Sequence, residues 1–260
     1  MLQRSLAPIT NEAWEEIDSR AKDVLKAYLS ARKVVNVNGP KGWDYTVVPE
    51  GRLDIIDDSE VKYGTYKVKP LVEARVEFEL ERWELDNLVR GAKDIELDAL
   101  EEAVKKAALF EEEAIYNGNK KVELNGLVNE SDNEKISLGN DPNTIMAAIS
   151  EGVLKLREAF SDKPYTLVVG KEAWKRLNMK VEGYPLIKQV EDLLGTKVVF
   201  SHVLDGAILI PYDHEDLEMT IGNDFSIGYQ STNGNKVKFF ITESFTFRIL
   251  DKALIVKFTL

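Results

Sequence analysis

"FFITESFTFRIL", residues 239–250, alternates large apolar side chains with Thr, Glu, Ser and Arg. Side chains along a strand point to opposite faces in turn, so the pattern predicts a β-strand with one face in a core. A second apolar run, "ALIVKFTL" (253–260), follows at once and reads as a closing partner strand. Working back from this pair, "AILIPYD" (207–213), "LEMTIG" (217–222) and "FSIGYQ" (225–230) read as further strands. Before them, "YTLVVG" (165–170) and "TKVVFS" (196–201) read as buried strands, with "KEAWKRLNM" (171–179) and "YPLIKQVEDLLG" (184–195) as helices between.

Three longer helices precede this half. The first is predicted from Asn11 to Ala31, with Thr10 as N-cap and Trp14, Ile17, Ala21, Val24 and Tyr28 as an apolar stripe packed on the subunit's own body. The strongest helical period is "DIELDALEEAVKKAALFEEEAIYNG" (94–118), stopped by Asn117 and Gly118. A third starts at Asp141 as cap with Pro142 in its first position. Between the first two, residues 44–80 look extended, with Pro49, Gly51, Gly64 and Pro70 as interruptions. The cluster Asp57, Asp58, Ser59 and Glu60 would close a long two-stranded ribbon there. A lone hairpin is marginal in water, so such a ribbon is expected to lie on a neighbouring subunit. The architecture is α+β, without internal repeat or linker.

The 260 residues include 44% hydrophobic and 30% charged, an ordinary globular mixture. A net charge of −11 repels phosphate backbones, so no nucleic-acid partner is expected. Cysteine is absent, which removes disulfides, thiolate chemistry and thiolate metal sites and fits a reducing cytoplasm. The start lacks an apolar secretory stretch, and no run approaches the roughly 20 apolar residues of a membrane span.

Catalytic vocabulary is sparse. His202 and His214 are the two histidines, and no G-x-S-x-G turn exists to present a serine to either. The run Asp213, His214, Glu215 and Asp216 reads as a solvated turn, since adjacent residues cannot all face one ion. Glu111, Glu112 and Glu113 read as a charged helix face, because a di-iron site needs histidines that this helix lacks. No phosphate-binding glycine motif occurs. No catalytic residue, no metal site and no required cofactor are expected, and the pattern suits a structural subunit. A soluble enzyme with a cryptic carboxylate pair is the competing reading from another class.

"RSLAPIT" (4–10) with Trp14 and "EIDSRA" (16–21), "GWDY" (42–45), "FELERWELDNLVRG" (78–91), "FSIGYQ" and "FFITESFTFRIL" together resemble encapsulins. These are bacterial and archaeal nanocompartment shell proteins with the HK97 phage-capsid fold. The resemblance implies a P-domain with N-terminal helix and strand (1–42), an E-loop (43–75), a P-domain segment with the long helix (76–135), an A-domain (136–222) and closing P-domain strands (223–260). It implies a cytoplasmic icosahedral homo-oligomer, usually of about sixty copies. Such a shell encloses a ferritin-like protein or dye-decolorising peroxidase for iron storage or oxidative-stress defence. A phage or prophage major capsid protein shares this fold and is the alternative.

The same resemblance carries residue roles. Cargo docks by a short C-terminal targeting peptide in a groove between the N-terminal helix with its following strand and the "SIGY" strand. By position Arg32, Asn36 and Ile227 line that groove, with Leu25 and Tyr28 beside them. Asn36 stands where an acid is expected. A loop at the fivefold pore corresponds to Lys180, Glu182, Gly183 and Tyr184, where one Glu would become a ring favouring cations. Some encapsulins stack a flavin on a tryptophan with an arginine eight residues earlier. Trp83 and Arg75 reproduce that spacing, although a tryptophan anchoring a subunit contact is the preferred reading.

Overall fold

The computed structural model describes residues 1–260 except 58, 59 and 182, with backbone alone for 180 and 181. Thr10 opens the first helix, α1 (Asn11–Tyr28), its hydroxyl accepting from the Ala13 N–H. The helix ends before the expected Ala31, because Leu29 turns extended and Glu112 takes the N–H groups of Ser30 and Ala31, after which a 3-10 turn runs over Ala31–Lys33. Strand β1 (Asn36–Asn38) leads to a ribbon of β2 (Val47–Ile56) and β3 (Tyr63–Pro70). β4 (Val72–Glu81) returns to the body, and α2 (Arg82–Val89) and α3 (Asp98–Tyr116) follow. No period in the sequence announces α2, whose eight residues bury Leu85 alone.

After β5 (Ile136–Ser137), α4 (Pro142–Glu158) begins with a capping box between Asp141 and Thr144. Next come β6 (Tyr165–Val169), α5 (Lys171–Leu177), a small hairpin of β7 (Lys180–Val181) and β8 (Tyr184–Pro185), and α6 (Leu186–Leu194). The chain continues through β9 (Val199–Phe200), β10 (Ala207–Pro211), β11 (Leu217–Ile221) and β12 (Ser226–Asn233). It closes on β13 (Lys236–Ile249) and β14 (Val256–Thr259).

β13, which holds most of the stretch 239–250, is the spine of the first sheet. β13 pairs along one edge with β4, Lys236 opposite Glu81 through Phe245 opposite Val72. Its other edge is shared by β12 and β11, and β1 extends the sheet beyond β11. Val237, Phe239, Ile241, Phe245 and Phe247 share one face of β13 and are all buried. α1 and α3 cover the Phe239 end of that face, where Trp14 meets Phe239 edge-on at 5.4 Å.

The closing strands do not finish one sheet, contrary to expectation. β14 joins a second sheet ordered β5, β14, β10, β6, β9, while β11 belongs to the first. The cause lies in the connection. Asp251 accepts from the Ala253 N–H and starts a 3-10 turn, and Ser131 and Asn133 then hold the Ile255 carbonyl at 2.6 and 2.9 Å. Phe258 of β14 packs against α4 at Gly152, where a Cβ would lie 2.8 Å from the ring. "TKVVFS" keeps a strand of two residues.

The ribbon projects as expected: β2 and β3 pair with each other and with no third strand among the described residues. Asp58 and Ser59 of its turn lie outside the described residues. Leu53 stands opposite Tyr66 and Ile55 opposite Gly64, so Leu53, Ile55 and Tyr66 share a face. On the other face Lys67 and Asp54 form an ion pair at 2.7 Å. The apolar face is bare, with Ile55 71% and Tyr66 76% exposed.

The charged face expected on α3 is corrected in part. Glu111 and Glu112 are fully buried, while Glu113 is exposed. Glu112 accepts from the backbone N–H groups of Ser30 and Ala31, both at 2.8 Å, and from the Ser30 hydroxyl. It thereby fastens the chain after α1 to α3. Burial pushes its carboxyl up to about 7, against these donors. The folded chain therefore holds this proton more tightly than the unfolded one. The associated stability is present below the ordinary value of 4.5 and is lost as pH rises through about 7. Glu112→Gln keeps the acceptor and removes the titration. Thermal unfolding followed from pH 5 to 8 is expected to decline less steeply in the variant than in the parent. Parallel curves would show that Glu112 does not set this slope.

Candidate functional site

A groove of about 390 Å³ runs between α1 and the start of β12. Its apolar wall comes from Ala21, Leu25 and Leu29 of the α1 side and Ile227 and Ile241 of the sheet. Asp18, Lys22 and Arg4 stand on the rim, where Arg4 donates to Asp18 at 2.7 Å and lies 3.9 Å over the Trp14 ring. The first residues of the chain close one end. Tyr229 of β12 donates its N–H to the Leu2 carbonyl at 2.8 Å.

Three of the five residues expected in a cargo groove meet here: Leu25, Arg32 and Ile227. Leu25 is half-buried, whereas Ile227 keeps 5% of its surface and also belongs to the core. Asn36 and Tyr28 lie elsewhere. Asn36 sits in β1 and donates to Asp213 at 2.9 Å. Tyr28, a last helical residue turned about 60° from Leu25, stacks on His202 with ring centres 4.6 Å apart and lines a different cavity with Lys105. Position along the sequence brings Leu25 and Ile227 to the groove, but β1, with Asn36, joins the sheet beyond β11, and Tyr28 turns to another face of α1.

Arg32 forms the groove floor and is largely withdrawn from solvent. Its Nε donates to both Glu111 oxygens at 2.9 Å, and its two terminal nitrogens reach Glu111, Asp224 at 2.7 Å and Glu243 at 3.1 Å. The guanidinium also lies 4.8 Å over the Phe225 ring. Burial opposes its charge, but Glu111, Asp224 and Glu243 outweigh that, and its pKa is raised. Glu243 is likewise pushed well up, by burial first and then by the charge of Glu111. One Glu243 oxygen, Oε1, has no hydrogen-bond partner among the described residues. Three carboxylates around one buried cation brace the floor where α3, β13 and the loop before β12 converge.

Leu2, Asp18, Lys22, Leu29 and Asp224 were not anticipated. One signal was legible: Glu243 falls on the same face of β13 as Phe239, Ile241 and Phe245, a charge in an apolar row. The groove presents a hydrophobic slot and a charged rim. Such a surface suits an extended apolar peptide. Among the described residues no group of three or more His, Asp or Glu is arranged to hold a metal ion.

The pore candidates form the β7–β8 hairpin, with Lys180 opposite Pro185 and Val181 opposite Tyr184. Gly183 takes φ +83°, a turn conformation that other residues resist, and Tyr184 is exposed. Glu182 lies outside the described residues. Trp83 and Arg75 are not brought together within the chain. Arg75 packs 4.3 Å over Phe240, about 20 Å of strand before the end of β4, and Trp83 lies under Arg90 at 5.5 Å.

Comparison with known proteins decides the family. Residues 1–246 match the family described as encapsulating protein for peroxidase. The chain belongs to that family, the encapsulins. It is 34% identical to the type 1 encapsulin shell protein of Rhodospirillum rubrum, over 96% of this chain and 92% of that one. It is 33% identical to the type 1 encapsulin shell protein of Mycolicibacterium paratuberculosis, over 95% and 94%. In fold this encapsulin is similar to the virus-like particle of Pyrococcus furiosus, with TM-score 0.69 at 17% identity over 93% of this chain and 97% of that one. The capsid of an empty GTA particle also matches, with TM-score 0.57 at 16% identity over 88% of this chain and 88% of that one. The fold is thus of the HK97 capsid type. Among the described residues, no helix of this encapsulin is long and apolar enough to cross a membrane.

Proposed function

We propose that this chain is a structural, non-enzymatic shell subunit that closes into an icosahedral compartment of about sixty copies around a cargo enzyme. The bare apolar face of the ribbon carries this reading, since a second copy is what would cover it. The cargo is a ferritin-like protein or a dye-decolorising peroxidase, serving iron storage or oxidative-stress defence in the cytoplasm. Its C-terminal targeting peptide docks in the groove between α1 and β12, and the β7–β8 hairpin borders a fivefold pore. No nucleic acid takes part. Trp83 serves as a subunit-contact anchor.

The test is co-expression with the enzyme encoded beside this chain's gene. At 29.4 kDa each, about sixty chains come to about 1,760 kDa before cargo. Ile227→Asp is a poor probe, because it would put a carboxylate into the core. Leu25→Asp changes a half-buried wall residue instead. Loss of one apolar anchor costs roughly 2 kcal/mol or more at a hot spot, multiplied when several tails hold one cargo. Leu25→Asp particles should keep the parent mass and carry roughly a tenth or less of the parent's cargo by densitometry. Equal cargo per particle would remove the groove from the loading site.

A further inference from the structure

β12 pairs with β13 along one edge, and its other edge looks onto the groove. The register fixes which backbone groups that edge offers. Ser226 and Gly228 stand opposite Thr242 and Phe240, while Ile227 and Tyr229 stand opposite Ile241 and Phe239. On β13, Ser244 accepts from the Gly222 N–H and donates to the Asn223 carbonyl, both at 2.8 Å. Ser244, Thr242 and Phe240 therefore turn their backbone toward β12, and Ile241 turns away from it. On β12, the Tyr229 N–H points outward to Leu2. Ile227 lies two residues earlier, before the register shift between Tyr229 and Ser231, so its N–H and C=O also point outward.

The donors on either side of Ile227 are occupied. Phe225 donates to Asp224 Oδ1 at 2.8 Å, and Tyr229 donates to Leu2. Gly228 permits the Leu2 segment to lie so close, since a Cβ there would come within 2.9 Å of the Leu2 carbonyl. Ile227 is left with an outward donor and acceptor that nothing bonds among the described residues, at a position 5% exposed. An unpaired backbone pair in so covered a place is costly, and a ligand strand would satisfy both groups.

We propose that the groove takes its peptide as one added strand, bonded backbone to backbone at Ile227 alone. Asp224 and Leu2 set the register by holding the flanking donors. The ligand is then an extended segment whose alternate side chains are apolar. One set enters the slot beside Ala21, Leu25 and Ile241, and the set between faces out. This rests on the groove being the cargo-docking site.

The probe is a fluorescein-labelled octapeptide of alternating Leu and Gly ending in Lys, titrated into empty particles of the full chain by anisotropy. Two further versions carry N-methyl groups on every second amide, in one alternate set or the other. Methylating the set that faces Ile227 should weaken binding roughly tenfold or more, and the other set should leave it within about twofold. Equal effects of the two sets would overturn the pairing while leaving the groove as the site. Failure of the parent peptide to bind, or binding that Leu25→Asp does not weaken, would sink the groove reading and the pairing with it. Hydrogen exchange gives a second measure: the segment 225–229 should gain protection at about one amide when peptide is added. Full protection of that amide in empty particles would mean that a second copy, or the chain itself, already fills the edge.

Discussion

Ile55→Asp combined with Tyr66→Asp is expected to give a folded subunit that no longer closes into particles. Both side chains stand on the apolar face of the ribbon, 71% and 76% exposed, and neither supports the subunit's own core. Burying an aliphatic or aromatic side chain contributes about 1.5–3 kcal/mol. Losing two such contributions, and adding two carboxylates, should weaken each arm contact by roughly a hundredfold or more. A closed shell repeats that contact at every copy, so the deficit accumulates instead of averaging out. The chain's net charge of −11 leaves little reserve, because like-charged copies already repel, most strongly at low salt. Mass photometry should therefore move from a particle near 1,760 kDa to small species. Far-UV circular dichroism of the variant should match that of the parent. Complete particles with parental heat resistance would show that the arm's apolar face is not a contact surface.

The ribbon was legible because its information is local. Alternation, a polar turn and the absence of any nearby partner can all be read along residues 44–80. Helix starts were legible for the same reason, since Thr10 and the Asp141 and Pro142 pair act within one turn. What failed depended on partners far away in sequence. Alternation identifies β14 as a strand but carries nothing about the side chains of Ser131 and Asn133 that steer it into the second sheet. Residues 111 and 112 look like surface charges on α3 until Arg32, Ser30 and Ala31 arrive from some 80 positions earlier. The groove gathers Leu25, Arg32 and Ile227, whereas Asn36 lies outside it because β1 joins the sheet beyond β11, and Tyr28 because of side-chain direction. A one-residue change in where a helix ends, or in which edge a strand presents, decides that direction.

Replacing Arg32 by Met should destabilise the subunit more than any surface change, with a size that depends on pH. Glu111 and Glu243 have fully buried side chains, and Arg32 is the cation bonded to both. Breaking a buried pair by removing one partner typically costs about 3–5 kcal/mol, because the remaining charge is left without compensation. Methionine fills the volume of the aliphatic stem, so lost charge pairing and not a cavity dominates the change. Glu243 already holds its proton more tightly folded than unfolded, burial being the first cause. Without Arg32, which opposes that shift, the shift must grow. A carboxyl with a raised folded pKa contributes stability that is present below the unfolded value, 4.5, and is lost as pH rises toward the folded value. The gap in melting temperature between Arg32→Met and Arg32→Met with Glu243→Gln is therefore expected to be small near pH 5 and to widen toward pH 8. Adding Glu243→Gln to Arg32→Met should recover part of the loss at pH 8 and little at pH 5. A constant gap across that range would mean that packing against Phe225, and not the three carboxylates, is what Arg32 supplies.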